Sequence, residues 1–361
     1  MAGPGPSLRT LVEERRILVC CGSGGVGKTT TAAVLALEAA RAGRRAVVVT
    51  IDPAKRLADA LGLEGLTGTP SRIDGDWPGE LHALMLDTKS TFDDLVVANA
   101  STPEQGQRIL ENRFYRNISG ALSGTQEYMA MEKLYELHQQ TDFDLVVVDT
   151  PPTRNALDFI DAPRRLSRFL DHRLFRMITA PGRGVMKAVN VAAQTFLRTV
   201  AKVVGAEVID DAVAFFQAFE GMEEGFRERA DAVLALLSDD DTAFVLVASP
   251  RRDTIEEAEY FAAKLAEADI EVRALVVNRM HPTFGDGLPE ATRERADTLE
   301  GTDLGGLYRN LAEFQLVASR ESEHLAGLAE AVAPAPLVRV PFLSSDVHDI
   351  AGLDAIAEHL L

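Results

Sequence analysis

The stretch Gly22-Ser23-Gly24-Gly25-Val26-Gly27-Lys28-Thr29 places four glycines ahead of a lysine and a hydroxyl. Glycines let a backbone curl until successive N–H groups point inward, the geometry that cradles phosphate oxygens. The spacing fits G-x-x-x-x-G-K-[ST] at every defined position, which directs Lys28 to β- and γ-phosphates and Thr29 to Mg²⁺. Such a loop has meaning only between a strand and a helix. Ile17-Leu18-Val19-Cys20-Cys21 is a short apolar run that predicts a buried parallel strand. From Thr30 to Ala42 the chain is rich in Ala and Leu without Gly or Pro, predicting a helix that closes at Arg41 and Gly43. The N-terminus of that helix adds its positive end to the phosphate cradle.

Three further polar residues end apolar runs. Asp52 follows Ala46-Val47-Val48-Val49-Thr50-Ile51, so a carboxylate stands at the carboxyl end of a predicted strand, where α/β sheets place ligands. There it can position or deprotonate an attacking water, as phosphoryl transfer requires. It can equally cap a following helix, with Pro53 at the first helical position. Asp149 closes Phe143-Asp144-Leu145-Val146-Val147-Val148 in the manner of a Walker B strand and joins Thr29 as a candidate for the magnesium shell, directly or through water. Asn278 ends Val276-Val277, and its amide offers the donor and acceptor that adenine needs, or else forms a turn.

A chain of 361 residues can bury a sizeable core, as one large α/β domain or a core with an inserted subdomain. A net charge of −18 and a pI near 4.9 argue against a nucleic-acid binder, which would need clustered Lys and Arg. The two cysteines, Cys20 and Cys21, are neighbours on one predicted strand and read as core thiols in a reducing compartment. Neither an ordinary disulfide nor a C-x-x-C metal site is open to them. Met1-Ala2-Gly3-Pro4-Gly5-Pro6 lacks the layout of a signal peptide, and no apolar run is long enough to span a bilayer. The expectation is a cytoplasmic protein that is not an integral membrane protein.

Residues 1–14 read as a flexible lead-in and 15–361 as the nucleotide-binding core. Within that core Gly62 to Gly79 reads as loop, and Leu81 to Leu86 as a strand. The pattern from Phe92 to about Gln140 is mostly helical, with Phe114, Tyr115 and Ile118 to Leu122 packing inward and a break at Gly124. Helical sequence resumes from about Asn155 to Leu237, interrupted near Pro163 and at Pro181-Gly182-Arg183-Gly184. Strands return at Ala243 to Ala248, Val272 to Asn278 and Leu337 to Val340. This alternation predicts an α/β fold: a mostly parallel twisted sheet flanked by helices, with a helical lobe from insertions at about 92–140 and 155–238.

Together these residues resemble the ArsA-type P-loop ATPases, the family of the arsenite-pump and tail-anchored-protein targeting ATPases. Ser23-Gly24-Gly25-Val26-Gly27-Lys28-Thr29 matches its deviant Walker A loop. Asp52-Pro53-Ala54-Lys55-Arg56-Leu57-Ala58-Asp59 resembles its first switch, and Asp149-Thr150-Pro151-Pro152-Thr153 its second. Asn278 falls in a segment similar to the adenine-contacting strand end, and Pro341-Phe342-Leu343 resembles the loop that covers the base. The resemblance implies ATP and Mg²⁺ as cofactors, with Gly22 through Thr30, Asn278, Pro341 and Phe342 around the nucleotide, Thr29 and Asp149 at the metal, and Lys28 and Asp52 in catalysis. It also implies a dimer whose switches couple nucleotide state to the helical lobe.

Three departures qualify that picture. Family members carry a lysine at the position of Ser23 that reaches across the dimer to the partner's phosphates, and a serine supplies no charge. A heterodimer with a paralogous ATPase that keeps the lysine resolves this, as does replacement by Arg154; a homodimer is then expected to be slow. The cysteine sets that bind arsenite or close a dimer through zinc are missing, which disfavours arsenite export. Phe175, Met177, Ile178, Met186, Val189, Val191, Phe196 and Leu197 could form a groove for a protein client or a membrane surface, or could bury their stripe in the lobe's own core. One alternative is a regulatory nucleotide-binding subunit that scaffolds a complete paralog. A membrane-partitioning ATPase fits less well, because Gly352 to Leu361 is short and acidic for a membrane-binding tail.

Overall fold

The computed structural model describes residues 6–52, 54–118, 125–140, 142–151, 206–285, 287–343 and 346–361. In chain order the elements begin with α1 (Leu8–Glu14), β1 (Ile17–Cys21), α2 (Lys28–Arg41), β2 (Arg45–Thr50), α3 (Arg56–Ala60), β3 (Ser71–Ile73) and β4 (Glu80–Met85). Then come α4 (Thr88–Asn99), α5 (Pro103–Glu111), α6 (Arg113–Ile118), α7 (Thr125–Gln140), β5 (Leu145–Asp149), α8 (Ala206–Ala218) and α9 (Glu223–Leu237). The chain ends with β6 (Thr242–Ala248), α10 (Arg252–Glu267), β7 (Val272–Met280), α11 (Pro289–Thr298), α12 (Asp303–His324), α13 (Ala326–Ala331), β8 (Leu337–Pro341) and α14 (Ile350–Leu360).

Two compact units divide these elements. The first holds one eight-stranded sheet in the order β3-β4-β2-β5-β1-β6-β7-β8, parallel throughout except for β3. Its central strands are buried on both faces, as their unbroken Val, Leu and Ile runs require. Leu18, Cys20, Val48, Val147, Val245 and Val276 join one core cluster with α2, with Leu8, Leu11 and Val12 of α1, and with Leu353, Ile356 and Leu360 of α14. Cys21, one residue from Cys20, belongs on the opposite face by strand alternation. Small residues let α2 lie close on the sheet: Ala32, Ala33, Ala36, Ala39 and Ala40 are fully buried.

Several expectations need correction. The lead-in is a helix from Leu8, capped by the Ser7 hydroxyl, which accepts the Thr10 N–H at 3.2 Å. Glycine and proline just upstream mask this N-cap signal in the sequence. The presumed loop from Gly62 to Gly79 contains β3, an antiparallel edge strand pairing Arg72 with His82. The helix after Asp52 starts at Arg56 with Lys55 as its N-cap, so Asp52 is not the cap. At the far end of the chain, α14 sinks its apolar face into the core, and Asp354 pairs with Arg41 at 2.5 Å.

The second unit includes 86–118, 125–136 and 206–237 among its described residues. Tyr115 is its buried centre, donating to Asp93 Oδ1 at 2.7 Å and stacking on Phe215. Phe114 lies beside Phe215, and Phe219 and Phe226 extend the aromatic row. Asn112 ends α5 and starts α6: its Oδ1 accepts the Tyr115 N–H at 3.0 Å, and its amide donates to the Asp211 carbonyl at 2.9 Å. Glu132 of α7 is buried against Arg229 of α9, whose guanidinium also covers the Tyr135 ring. The breaks expected at Gly124, Pro163 and 181–184, and the Phe175 to Leu197 stripe, lie outside the described residues. No helix among the described residues is long and apolar enough to cross a membrane.

If α1 is part of the core, Leu11→Ala lowers stability by about 2–5 kcal/mol, the range for a fully buried leucine. Urea unfolding of the full chain measures this; an unshifted midpoint would return α1 to the status of a detachable lead-in.

Candidate functional site

Because β1, β2, β5, β7 and β8 run parallel, their carboxyl ends share one edge of the sheet, and the sequence-predicted residues gather there. Between the last residue of β1 and the first of α2, the backbone turns through positive φ at Gly22, Gly25 and Gly27. A Cβ at Gly22 would collide with the Val247 carbonyl, and one at Gly27 with the Asn278 amide. Gly27 is the N-cap of α2 and offers no side chain to its first N–H groups. Those donors and the positive helix end therefore remain for an anion. Thr29 and Thr30 stand half-buried at the same end.

Lys28 folds back into the loop, and its ammonium donates to the Ser23 carbonyl at 2.8 Å. Burial lowers its pKa, against the attraction of Asp149 and of Asp52. Ser23 is buried as well, and its hydroxyl finds no partner among the described residues.

Strand register explains the placement of Asp149: it pairs with Cys20 on one side and Thr50 on the other. The Thr50 hydroxyl donates to its Oδ2 at 2.8 Å. Burial pushes its pKa up to about 6, while Thr29, Thr50 and Lys28 pull the other way. Oδ1 is buried without a hydrogen bond from the described residues, although the Thr29 hydroxyl lies close enough to favour the ionised form. A hydroxyl and an unpartnered carboxylate oxygen form a hard-oxygen pair that suits Mg²⁺, so the residues fit the implied ion. Thr150 continues the strand inward, donating both its hydroxyl and its N–H to the Cys20 carbonyl, at 2.8 and 3.2 Å.

Asp52 lies beyond the end of β2 with both carboxylate oxygens engaged. Oδ1 accepts the Ala54 N–H at 2.9 Å, and Oδ2 lies 3.4 Å from Arg56. On the other side of the loop, Asn278 donates through its amide to the Val26 carbonyl at 3.0 Å. That reach depends on Gly27 and ties the end of β7 to the phosphate loop. Pro341 ends β8 opposite Met280, and the Phe342 N–H donates to the Met280 carbonyl at 2.8 Å. The exposed Phe342 ring lies parallel to His281, which Glu321 holds at 2.6 Å. Pro53, Pro152, Thr153 and Arg154 lie outside the described residues. Burial drives both cysteine thiols up, Cys21 to about 12, so neither offers a thiolate.

Sequence reasoning missed Thr50 and Arg56. Thr50 was legible only through register, as the residue that would face Asp149 across two parallel strands. Nothing local marked Arg56 as a partner of Asp52 except their i,i+4 spacing.

A carboxyl raised in the folded state destabilises the fold as pH rises from its ordinary value, 3.8, to about 6. Asp149→Asn removes that buried charge. Without nucleotide and metal it is expected to raise the melting temperature by a few degrees at about pH 7.5, with the gain shrinking toward pH 4.5. Thermal melts of both proteins across that range check this; a pH-independent difference would show that Asp149 is not a buried charge.

A family model described as anion-transporting ATPase matches residues 15–298. The protein named ATPase ARSA2 from Chlamydomonas reinhardtii is 27% identical over 282 residues, covering 77% of this chain and 72% of that protein. ATPase get3 of Aspergillus terreus is 25% identical over 281 residues, 76% of each chain. ATPase GET3 of Malassezia globosa is likewise 25% identical over 278 residues, again 76% of each. With the match spanning both the phosphate loop and the ends of β2, β5 and β7, the chain belongs to the ArsA-type family of anion-transporting ATPases and is an ATP-hydrolysing enzyme.

Proposed function

We propose that this ATPase works in the cytoplasm as one subunit of a heterodimer, coupling its nucleotide state to the helical unit. The observation that carries the reading is Ser23, which stands uncharged and buried where the family's trans-acting lysine is expected. Phosphoryl transfer depends on cations that meet charge developing in the transition state. A paralogous chain with an intact lysine would complete this site from across the interface.

In that reading the N-terminal amides of α2 and the Lys28 ammonium bind the β- and γ-phosphates. Thr29 and Asp149 would hold Mg²⁺, which would offset the negative charge of the phosphates. Asp52 positions the attacking water once its carboxylate is released from the Ala54 N–H and Arg56. Asn278 retains one amide proton for the base, and the exposed Phe342 ring would cover it.

The engagement of both Asp52 oxygens favours a second reading, a regulatory subunit that binds nucleotide and scaffolds a complete paralog with little turnover of its own. Steady-state ATP hydrolysis by this chain alone, and mixed with a lysine-bearing paralog, separates the two. The heterodimer reading expects turnover well above the sum of the parts, with the gain lost in Asp52→Asn. A gain that survives Asp52→Asn supports the regulatory reading. Equal rates for the chain alone and the mixture would overturn the trans-lysine argument.

A further inference from the structure

We infer that Arg279 is a positioning residue of the phosphate loop, fixing through its backbone conformation and its guanidinium the direction of the amides that receive phosphate. Arg279 follows Asn278 near the end of β7 and adopts φ +63°, where a side-chain-bearing residue is disfavoured. Among the described residues the other non-glycine at positive φ is Asp269, in the short connection between α10 and β7. At Arg279 no such turn is present: the residue lies inside a strand whose register against β8 shifts between Val277 and Met280. Conformations of this kind persist where surrounding contacts hold them, and they gather at functional sites.

The contact that accompanies it is specific. Arg279 Nη1 donates to the Gly25 carbonyl at 3.1 Å, and Asn278 Nδ2 donates to the Val26 carbonyl at 3.0 Å. Two consecutive strand residues thus hold two consecutive carbonyls of the loop. A peptide unit is planar, so fixing a carbonyl fixes the N–H of the next residue on the opposite side. Holding the carbonyls of Gly25 and Val26 therefore aims the N–H groups of Val26 and Gly27, which on the function proposed above would meet the phosphates together with the N-terminal amides of α2. Gly25 is exposed and, having no side chain, is free to turn unless held.

Charge supports the assignment. The chain carries −18, yet among the described residues exposed Arg279 makes no ion pair with a carboxylate. A guanidinium kept from acids and placed on the loop's outer carbonyl also leaves a positive charge beside an anion site, and its rigid fork suits that geometry better than an ammonium would.

The test compares Arg279→Gly and Arg279→Asn with the wild-type full chain. Both replacements accept positive φ, so they remove the guanidinium without forcing the backbone. Affinity for magnesium ATP and for inorganic tripolyphosphate is read by competition against a fluorescent ATP analogue, alongside melting temperature without nucleotide. Loss of the oriented amides lowers both affinities by a common factor of about ten in both variants. The melting temperature stays level or rises, because the unfavourable backbone of an arginine is relieved. Unchanged ATP affinity in both variants overturns the inference. So does a loss confined to ATP, which would place Arg279 with the base, and so does a fall in melting temperature that parallels the loss of binding. Should the glycine variant prove too loose to fold, the asparagine variant decides by the same readings.

Discussion

At the carboxyl ends of β1 and β5 a carboxyl group, Asp149, and an ammonium, Lys28, are both taken away from water within reach of each other's charge, and the rest of the site is arranged around them. Burial raises the pKa of Asp149 and lowers that of Lys28, so it disfavours the charged form of each. Each charge offsets part of the burial penalty of the other, while the Thr50 hydroxyl donates to Asp149 Oδ2, the Ser23 carbonyl accepts from Lys28, and Asp149 Oδ1 has no hydrogen bond from the described residues. The arrangement demands a sheet in fixed register, since a slip of one residue would turn Asp149 to the other face. It also demands a loop that brings the first residue of α2 back over the end of β1. Parallel pairing of β2, β5 and β1 meets the first demand and the glycines of the loop the second.

Much of this was legible in the sequence, for a physical reason. Strands buried on both faces must be unbroken apolar runs, and a loop that wraps phosphate must place glycine where a Cβ cannot go. The strands from Ile17, Ala46, Phe143, Ala243 and Val272 were accordingly found within one or two residues of their bounds. Edge structure was not. Ser71-Arg72-Ile73 is too short to show alternation and gains its identity only by pairing with β4. The N-terminal helix was hidden because Gly and Pro at 3–6 outweighed a serine cap and three well-spaced apolar residues.

Within the site, residue types were legible and partners were not. Asn278 was read for an amide suited to adenine, and its direct bond to the Val26 carbonyl, 252 residues away in sequence, depends on a close approach that Gly27 permits. Asp52 was read for catalysis, with helix capping as a role that could coexist with it. It is not the helix cap: its carboxylate closes a turn around Ala54 and is braced by Arg56, because the helix starts later than a proline at 53 suggested. The left-handed backbone of Arg279 leaves no sequence trace, since arginine is not a residue chosen for that conformation.

Cys20 and Cys21 complete β1 from within, one on each face of the sheet, with essentially no surface. They are the chain's whole complement of sulfhydryls, and burial holds both far from ionisation. To a thiol-alkylating reagent in solution, the folded protein is therefore chemically silent at its cysteines. One cysteine introduced at an exposed position would become a unique handle for a dye or spin label, with the native strand left untouched. Slow labelling at the native pair would in turn report how often the centre of the sheet opens to solvent.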